Sequence, residues 1–194
     1  MRKIRTLSLA LALATTLAGA TGVAEAAVVK GVTFPEAVDV SGRECRLNGV
    51  GVRTKLFVSV YLGALYLATP TADAAAAVSA DEPKRTVLQF VHSKVEGEKI
   101  RAAWREGFEE NARAALPQLK ERLERFAGWF DEDLLAGDQI VLTYAPGPGT
   151  EVSVKGRVRG VIEGADFMQA LWSVWLGEKP VDAGLKKGML GAQR

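Results

Sequence analysis

Residues 47–67 read LNGVGVRTKLFVSVYLGALYL: two glycines, an arginine, then a long apolar run ending in tyrosines. From Leu56 to Ala64 the even positions (Leu56, Val58, Val60, Leu62, Ala64) are all apolar, while the odd ones are Phe57, Ser59, Tyr61 and Gly63. Successive side chains of a strand point to opposite sides, so this alternation predicts a β-strand with one apolar and one mixed face. A core needs only the apolar face. The mixed face, entered from Arg53 and Lys55, is where a polar ligand can be met.

Outward from this stretch, Val28 to Phe34 and Val38 to Val40 are short β-prone pieces around Pro35, and Arg43 to Leu47 returns as a hairpin through Ser41-Gly42. Further upstream, Arg2, Lys3 and Arg5 precede an uncharged run from Thr6 to Ala24, and Ala24-Glu25-Ala26 supplies a small-x-small pattern. These features predict a signal peptide over residues 1–26 and a single mature domain over 27–194, exported to the periplasm or secreted. Removing residues 1–26 takes away three basic residues and Glu25, leaving 22 basic against 22 acidic. Such a balance offers nothing to a nucleic-acid backbone. No later segment is long and apolar enough for a membrane span after cleavage.

Downstream, the alanine-rich piece from Ala72 to Ala80 reads as a weak helix or loop, and Arg85 to Val91 as a strand. Glu96 to Leu116 is strongly helical, with Ser93 as a candidate cap and Ile100, Trp104, Gly107 or Phe108, Asn111 and Ala115 on one face. Asn111 on that stripe either meets a ligand or satisfies a neighbouring backbone group. Pro117 kinks or divides the helix, whose pattern continues through Leu119, Leu123, Phe126 and Phe130. Gln139 to Tyr144 and Glu151 to Ile162 are strands joined across Pro146-Gly147-Pro148-Gly149, and two helices follow, from Asp166 to Leu176 and from Val181 to Leu190. The order of strands, helix pair, hairpin and helices predicts an α+β fold in which helices back an antiparallel sheet.

Cys45 and His92 are the only residues of their kinds. One of each supplies neither an internal disulfide, nor a usual zinc set, nor a choice of triad base, so no metal or cofactor is expected. Asp131-Glu132-Asp133 lacks the glycine and distal glutamate of a calcium loop.

GVGVRTKLFVSVYLGALYL (49–67), REGFEENARAAL (105–116) and WSVWLGEKPV (172–181), in that order, resemble the chalcone isomerase-like proteins, and specifically their exported bacterial branch. The resemblance implies an open-faced β-sandwich-like fold, a large antiparallel sheet backed by a layer of helices with a ligand cleft between. In the plant enzymes of the family an arginine orients a chalcone for ring closure, while a tyrosine, a threonine and an asparagine hold water and the developing enolate. Arg53 looks like that arginine, and Asn111 stands where the asparagine does. Trp104, however, occupies the tyrosine position and Tyr61 the threonine position, and Val174, preceded by Ser173, stands where the plant enzyme has a hydroxyl. An indole N–H donates but does not accept and valine does neither, which argues against chalcone cyclisation.

Non-catalytic relatives bind fatty acids, with an arginine and a tyrosine on the carboxylate, and Arg53 with Tyr61 resembles that pair. Phe57, Trp104, Phe108 and Trp175 then line the acyl cleft, with Asn111 on its wall. The preferred expectation is a binder of a small anionic apolar ligand such as a fatty acid. The alternatives are an isomerase or lyase using Arg53, Tyr61 and Asn111 on an enone, or a structural protein whose cleft is filled by its own side chains. Along one straight strand Arg53 and Tyr61 would stand roughly 26 Å apart, at about 3.3 Å per residue. Their convergence requires a bend between Thr54 and Phe57, or an arginine that reaches in from the preceding strand.

Overall fold

The computed structural model describes residues 26–191, so the export signal assigned to residues 1–26 lies, apart from Ala26, outside the described residues. A small hairpin of β1 (Ala26–Val29) and β2 (Val32–Pro35) leads into β3 (Ala37–Val40), β4 (Arg43–Lys55) and β5 (Val58–Leu67). Helix α1 (Ala74–Ser79) precedes β6 (Lys84–Phe90) and the short β7 (Lys94–Val95). Helices α2 (Gly97–Asn111) and α3 (Leu116–Gly128) follow, then β8 (Leu134–Leu135), β9 (Gln139–Ala145), β10 (Gly149–Val154) and β11 (Arg157–Ile162). Helices α4 (Ala165–Leu176) and α5 (Ala183–Met189) complete the described chain. None of these helices is long and apolar enough to cross a membrane.

Seven strands form one antiparallel sheet in the order β11-β10-β9-β6-β5-β4-β3. This is the expected α+β architecture. The odd positions of β5, Tyr61 and Leu65, face the helices and join Trp104, Phe108, Phe126, Phe167 and Trp175 in the main core. Its even positions, Leu62, Ala64 and Tyr66, face a second core with Phe34, Val40, Cys45 and Leu47. Both faces of β5 are therefore buried, and the mixed face is the one turned toward the helices.

Three sequence expectations need correction. The single strand expected from Leu56 to Ala64 is interrupted at its start: Leu56 and Phe57 form the tight turn between β4 and β5, with φ of 49° and 67°. An apolar pair carries no turn signal, so the alternation seemed to run through it. The expected strand from Glu151 to Ile162 is two strands turning at Lys155-Gly156, where both φ angles are positive. The expected helix from Glu96 to Leu116 ends at Asn111, and Pro117 sits in the first turn of α3, where its missing N–H costs nothing. The acidic triplet is a set of ion-pair partners, with Asp131 on Arg159, Glu132 on Arg157 and Lys155, and Asp133 on Lys94. Cys45 is a buried thiol donating to the Pro83 carbonyl at 3.3 Å, and burial pushes its pKa up.

The glycines of the opening stretch seat α5 on the sheet. A Cβ on Gly51 would stand 2.2 Å from the Leu185 carbonyl oxygen, and one on Gly49 2.2 Å from that of Gly188. Only bare backbone on the strand admits the helix backbone so closely. Asn48 forms a bulge beside them, donating to the Thr71 and Met189 carbonyls at 3.0 and 2.9 Å and accepting from Thr71 N at 2.8 Å. It ties the strand to the α5 end.

Lys84 is 1% exposed, and its ammonium donates to the Ala77 and Ala80 carbonyls at 2.7 and 2.8 Å, closing the C-terminus of α1. Burial pulls its pKa down to about 8, against the opposing pull of Glu82 and Asp81. Between about pH 8 and the 10.5 of an exposed lysine, the unfolded chain therefore holds a proton that the folded chain has lost. Stability rises with pH wherever the unfolded state binds more protons. Urea unfolding is expected to show the wild type gaining roughly 2 kcal/mol on Lys84→Met as pH goes from about 8 to about 10. A flat difference over that range would refute the assignment.

Candidate functional site

Arg53 lies near the end of β4 and Tyr61 near the start of β5, and the turn makes them Cα partners across the hairpin. A bulge completes the match. Near the turn Lys55 pairs with Val58 and Thr54 with Ser59, but the next pair is Arg53 with Tyr61, leaving Val60 as an extra residue. With regular pairing in place of the bulge Arg53 would face Val60, and Tyr61 would point to the opposite side of the sheet, because a one-residue slip reverses every side chain. The Val60 carbonyl is pinned by two donors, Val91 N at 3.0 Å and His92 N at 3.1 Å.

Tyr61 and Arg53 open onto a cavity of about 30 Å³ between sheet and helices, closed by Phe90, Trp104, Val174 and Trp175. The guanidinium carbon of Arg53 stands 5.7 Å from the centre of the Tyr61 ring, and the side chain is half-buried. Arg53 takes part in no ion pair among the described residues. Tyr61 is 5% exposed, and its hydroxyl accepts from Trp175 Nε1 at 3.1 Å, leaving its own proton free to donate. Burial pushes the phenol pKa up, more than the neighbouring guanidinium and indole pull it down, so the hydroxyl keeps its proton at neutral pH. Trp104 is also 5% exposed, and its Nε1–H has no partner among the described residues.

The polar side chains that line this cavity, Arg53, Tyr61, Trp104 and Trp175, each carry a donor: a guanidinium, a phenol O–H and indole N–H groups, the Trp175 one already given to Tyr61. No carboxylate or imidazole lines it. Such a lining suits a carboxylate or carbonyl oxygen, and holds no general base for proton abstraction. Among the described residues no cluster is able to hold a metal ion.

Four of the seven site residues read from the sequence, Arg53, Tyr61, Trp104 and Trp175, converge here. Three do not. Phe57 is fully exposed at the hairpin tip, because it is a turn residue and not part of the strand face. Phe108 lies outside the cavity, fully buried against Phe167 with ring centroids 5.4 Å apart. Asn111 is used by the backbone: it donates to the Gly107 and Lys179 carbonyls at 3.1 and 2.9 Å and accepts from Lys179 N at 3.0 Å. It clamps the loop after α4 and is not a wall of the cavity. Ser173 is back-bonded to the Ala170 carbonyl at 2.6 Å, so no hydroxyl replaces the one missing at Val174. Phe90, Ile100 and Ile140 line the cavity too, and nothing in the sequence marks them as site residues, since a buried apolar residue looks alike in sequence whether it meets a cavity or a neighbour.

Trp104 and Trp175 meet edge to face with ring centroids 5.5 Å apart, and Phe126 and Phe130 back Trp104 at 5.1 and 5.5 Å. Most of the space between sheet and helices is therefore filled. A volume of about 30 Å³ is far below the roughly 300–1,000 Å³ that ligand pockets generally span.

A solved structure of a fatty-acid binding protein from Arabidopsis thaliana superposes with a TM-score of 0.70, at 22% identity, over 86% of this chain and 96% of that one. At that identity the likeness speaks for the fold. No curated protein matches the sequence. The family model for chalcone isomerase-like proteins matches residues 26–191, spanning the sheet, the helical layer and the cavity between them, and the chain belongs to that family.

Proposed function

We propose that this protein is a non-catalytic binder of a small apolar carboxylate, a fatty acid being the class in view, with the head group on Arg53, Tyr61 and Trp104. The carrying observation is a lining that has donors and no carboxylate: an arginine that forms no ion pair among the described residues, beside a buried phenol and Trp104, whose indole N–H has no partner among those residues. A guanidinium meets a carboxylate with two parallel donors, and the phenol adds a third. The cavity holds a head group and little more, so an acyl chain enters only as Trp104 and Trp175 move apart. The fatty-acid binding relative of the same fold supports this reading.

The test is titration of delipidated protein with a fluorescent fatty acid, and displacement by unlabelled acids of increasing chain length. Saturable binding with a chain-length optimum is expected. Absence of saturation at every length disposes of the proposal. The closed contact of Trp104 with Trp175 favours a second reading, in which the filled cleft is purely structural. Native mass spectrometry of the purified protein separates the two, since only a binder carries a ligand-sized mass that Arg53→Ala removes.

Export belongs to the same proposal, as does membership of the exported bacterial branch, both carried by the basic start and the uncharged run up to Ala24-Glu25-Ala26. N-terminal sequencing of the protein from a periplasmic or culture fraction is expected to begin at Ala27. A start at Met1 would overturn that part alone.

A further inference from the structure

Four tight turns in the described residues have positive φ at both central positions: Lys30-Gly31, Ser41-Gly42, Leu56-Phe57 and Lys155-Gly156. Three follow the usual economy of such turns, a polar residue followed by glycine. The β4–β5 turn instead carries two large apolar side chains in the left-handed region, where Leu and Phe are disfavoured. They recover nothing by packing. Leu56 is 84% exposed and Phe57 101%, and the adjacent Val58 is 47% exposed.

The surroundings of this tip are basic. No acidic residue occurs from Leu47 to Ala72. Lys55 immediately precedes the turn, and Lys30, at the tip of the β1–β2 hairpin, donates to Ser59 Oγ at 3.1 Å. Neither lysine has an ion-pair partner among the described residues, and both are exposed. Asp182, the carboxylate that touches this hairpin, is held by Thr54 N at 3.0 Å and Leu185 N at 2.8 Å. On the far flank of Arg53, Glu106 and Glu110 line a groove, and Glu110 is paired with Lys179.

We propose that the Leu56-Phe57 tip is a membrane-docking finger, inserting into the interface of an anionic lipid bilayer while Lys30 and Lys55 meet the head groups. A convex tip of three apolar residues is too small for a standard protein interface, which takes roughly 800 Å² from each partner. A bilayer closes around a convex probe, and unpaired lysines add attraction to anionic lipid. Arg53 lies three residues before Leu56, so docking brings the cavity rim to the lipid surface; loading of an acyl ligand there rests on the proposed function, whereas the docking does not.

The experiment is co-sedimentation of the 27–194 protein, without added ligand, with phosphatidylcholine vesicles and with mixed phosphatidylcholine–phosphatidylglycerol vesicles. Wild type is expected to partition onto the mixed vesicles and to be released by salt. L56N/F57G installs the pair this turn prefers, so it keeps or raises the unfolding midpoint while vesicle partition falls roughly tenfold or more. K30E/K55E loses the preference for phosphatidylglycerol. F57W reports insertion through a blue shift of emission on mixed vesicles. Wild type remaining in the supernatant, or L56N/F57G partitioning as wild type does, overturns the proposal and points to a protein as the occupant of the tip. Fatty-acid titration of L56N/F57G in solution keeps this outcome separate from the ligand reading, since neither tip residue lines the cavity.

Discussion

Arg53→Ala is expected to weaken fatty-acid binding by roughly 10- to 100-fold while leaving the unfolding midpoint nearly unchanged. A hydrogen bond to a charged partner contributes about 1.5–3 kcal/mol, and each 1.4 kcal/mol or so is tenfold in affinity. Arg53 holds no ion pair among the described residues, and it stands over the Tyr61 ring at 5.7 Å, a cation–π interaction of about 0.5–1 kcal/mol at such a site. Its removal therefore costs the ligand far more than it costs the fold. Arg53→Lys is expected to fall between, because an ammonium keeps the charge but loses the planar fork. Tyr61 keeps its proton through neutral pH, its pKa having been pushed up by burial, so the phenol introduces no pH dependence there. Isothermal calorimetry with a soluble fatty acid checks both variants, and wild-type affinity in Arg53→Ala would end the carboxylate reading.

Gly51→Val is expected to destabilise the protein by roughly 3–5 kcal/mol, a large part of the 5–15 kcal/mol typical of a domain. The atoms that a Cβ would meet, the Leu185 carbonyl oxygen at 2.2 Å and Leu185 Cα at 2.7 Å, are helix backbone, so no rotamer change relieves the clash. Helix α5 must lift from β4, exposing Leu185 and Met189, which are both fully buried, at about 1.5–3 kcal/mol each. The same movement breaks the bond from Asn48 to the Met189 carbonyl and withdraws Asp182 from Thr54 N, beside Arg53. Ligand affinity is thus expected to fall along with stability. Gly128→Ala is the control, because a Cβ there meets nothing within 4 Å. Urea unfolding of the two variants measures the contrast, and near-equal midpoints would refute the account of how α5 is seated.

The α+β class was legible because period two and period 3.6 are written locally, in β5 and in α2 to α4, and their order admits few arrangements. The centre of the chain was harder. Leu56-Phe57 gave no glycine, asparagine or proline to announce a turn, and so the hairpin that unites Arg53 with Tyr61 read as one strand. Asn111 shares the α2 stripe with Trp104, a spacing that fits a backbone partner as well as a ligand, and only the family resemblance put it at the ligand; the loop carrying Lys179 crosses the end of α2 there and takes the amide. Phe108 and Trp104 sit four residues apart on one helix, yet only Trp104 lines the cavity, because Phe167 packs against the other ring.

By itself the sequence determined the α+β class and the layering of helices on an antiparallel sheet, while the family resemblance singled out Arg53, Tyr61 and Trp104. The first follow from periodicities within single elements, the second from the residue types that stand at the family's positions. Only the tertiary structure decided that Arg53 and Tyr61 face one another, that Trp104 and Trp175 close the space around them, and that Phe57 stands outside it. Those outcomes depend on a two-residue turn, on the one-residue bulge at Val60 and on contacts between residues distant in the chain. Register and packing set them, and neither is encoded in any short stretch.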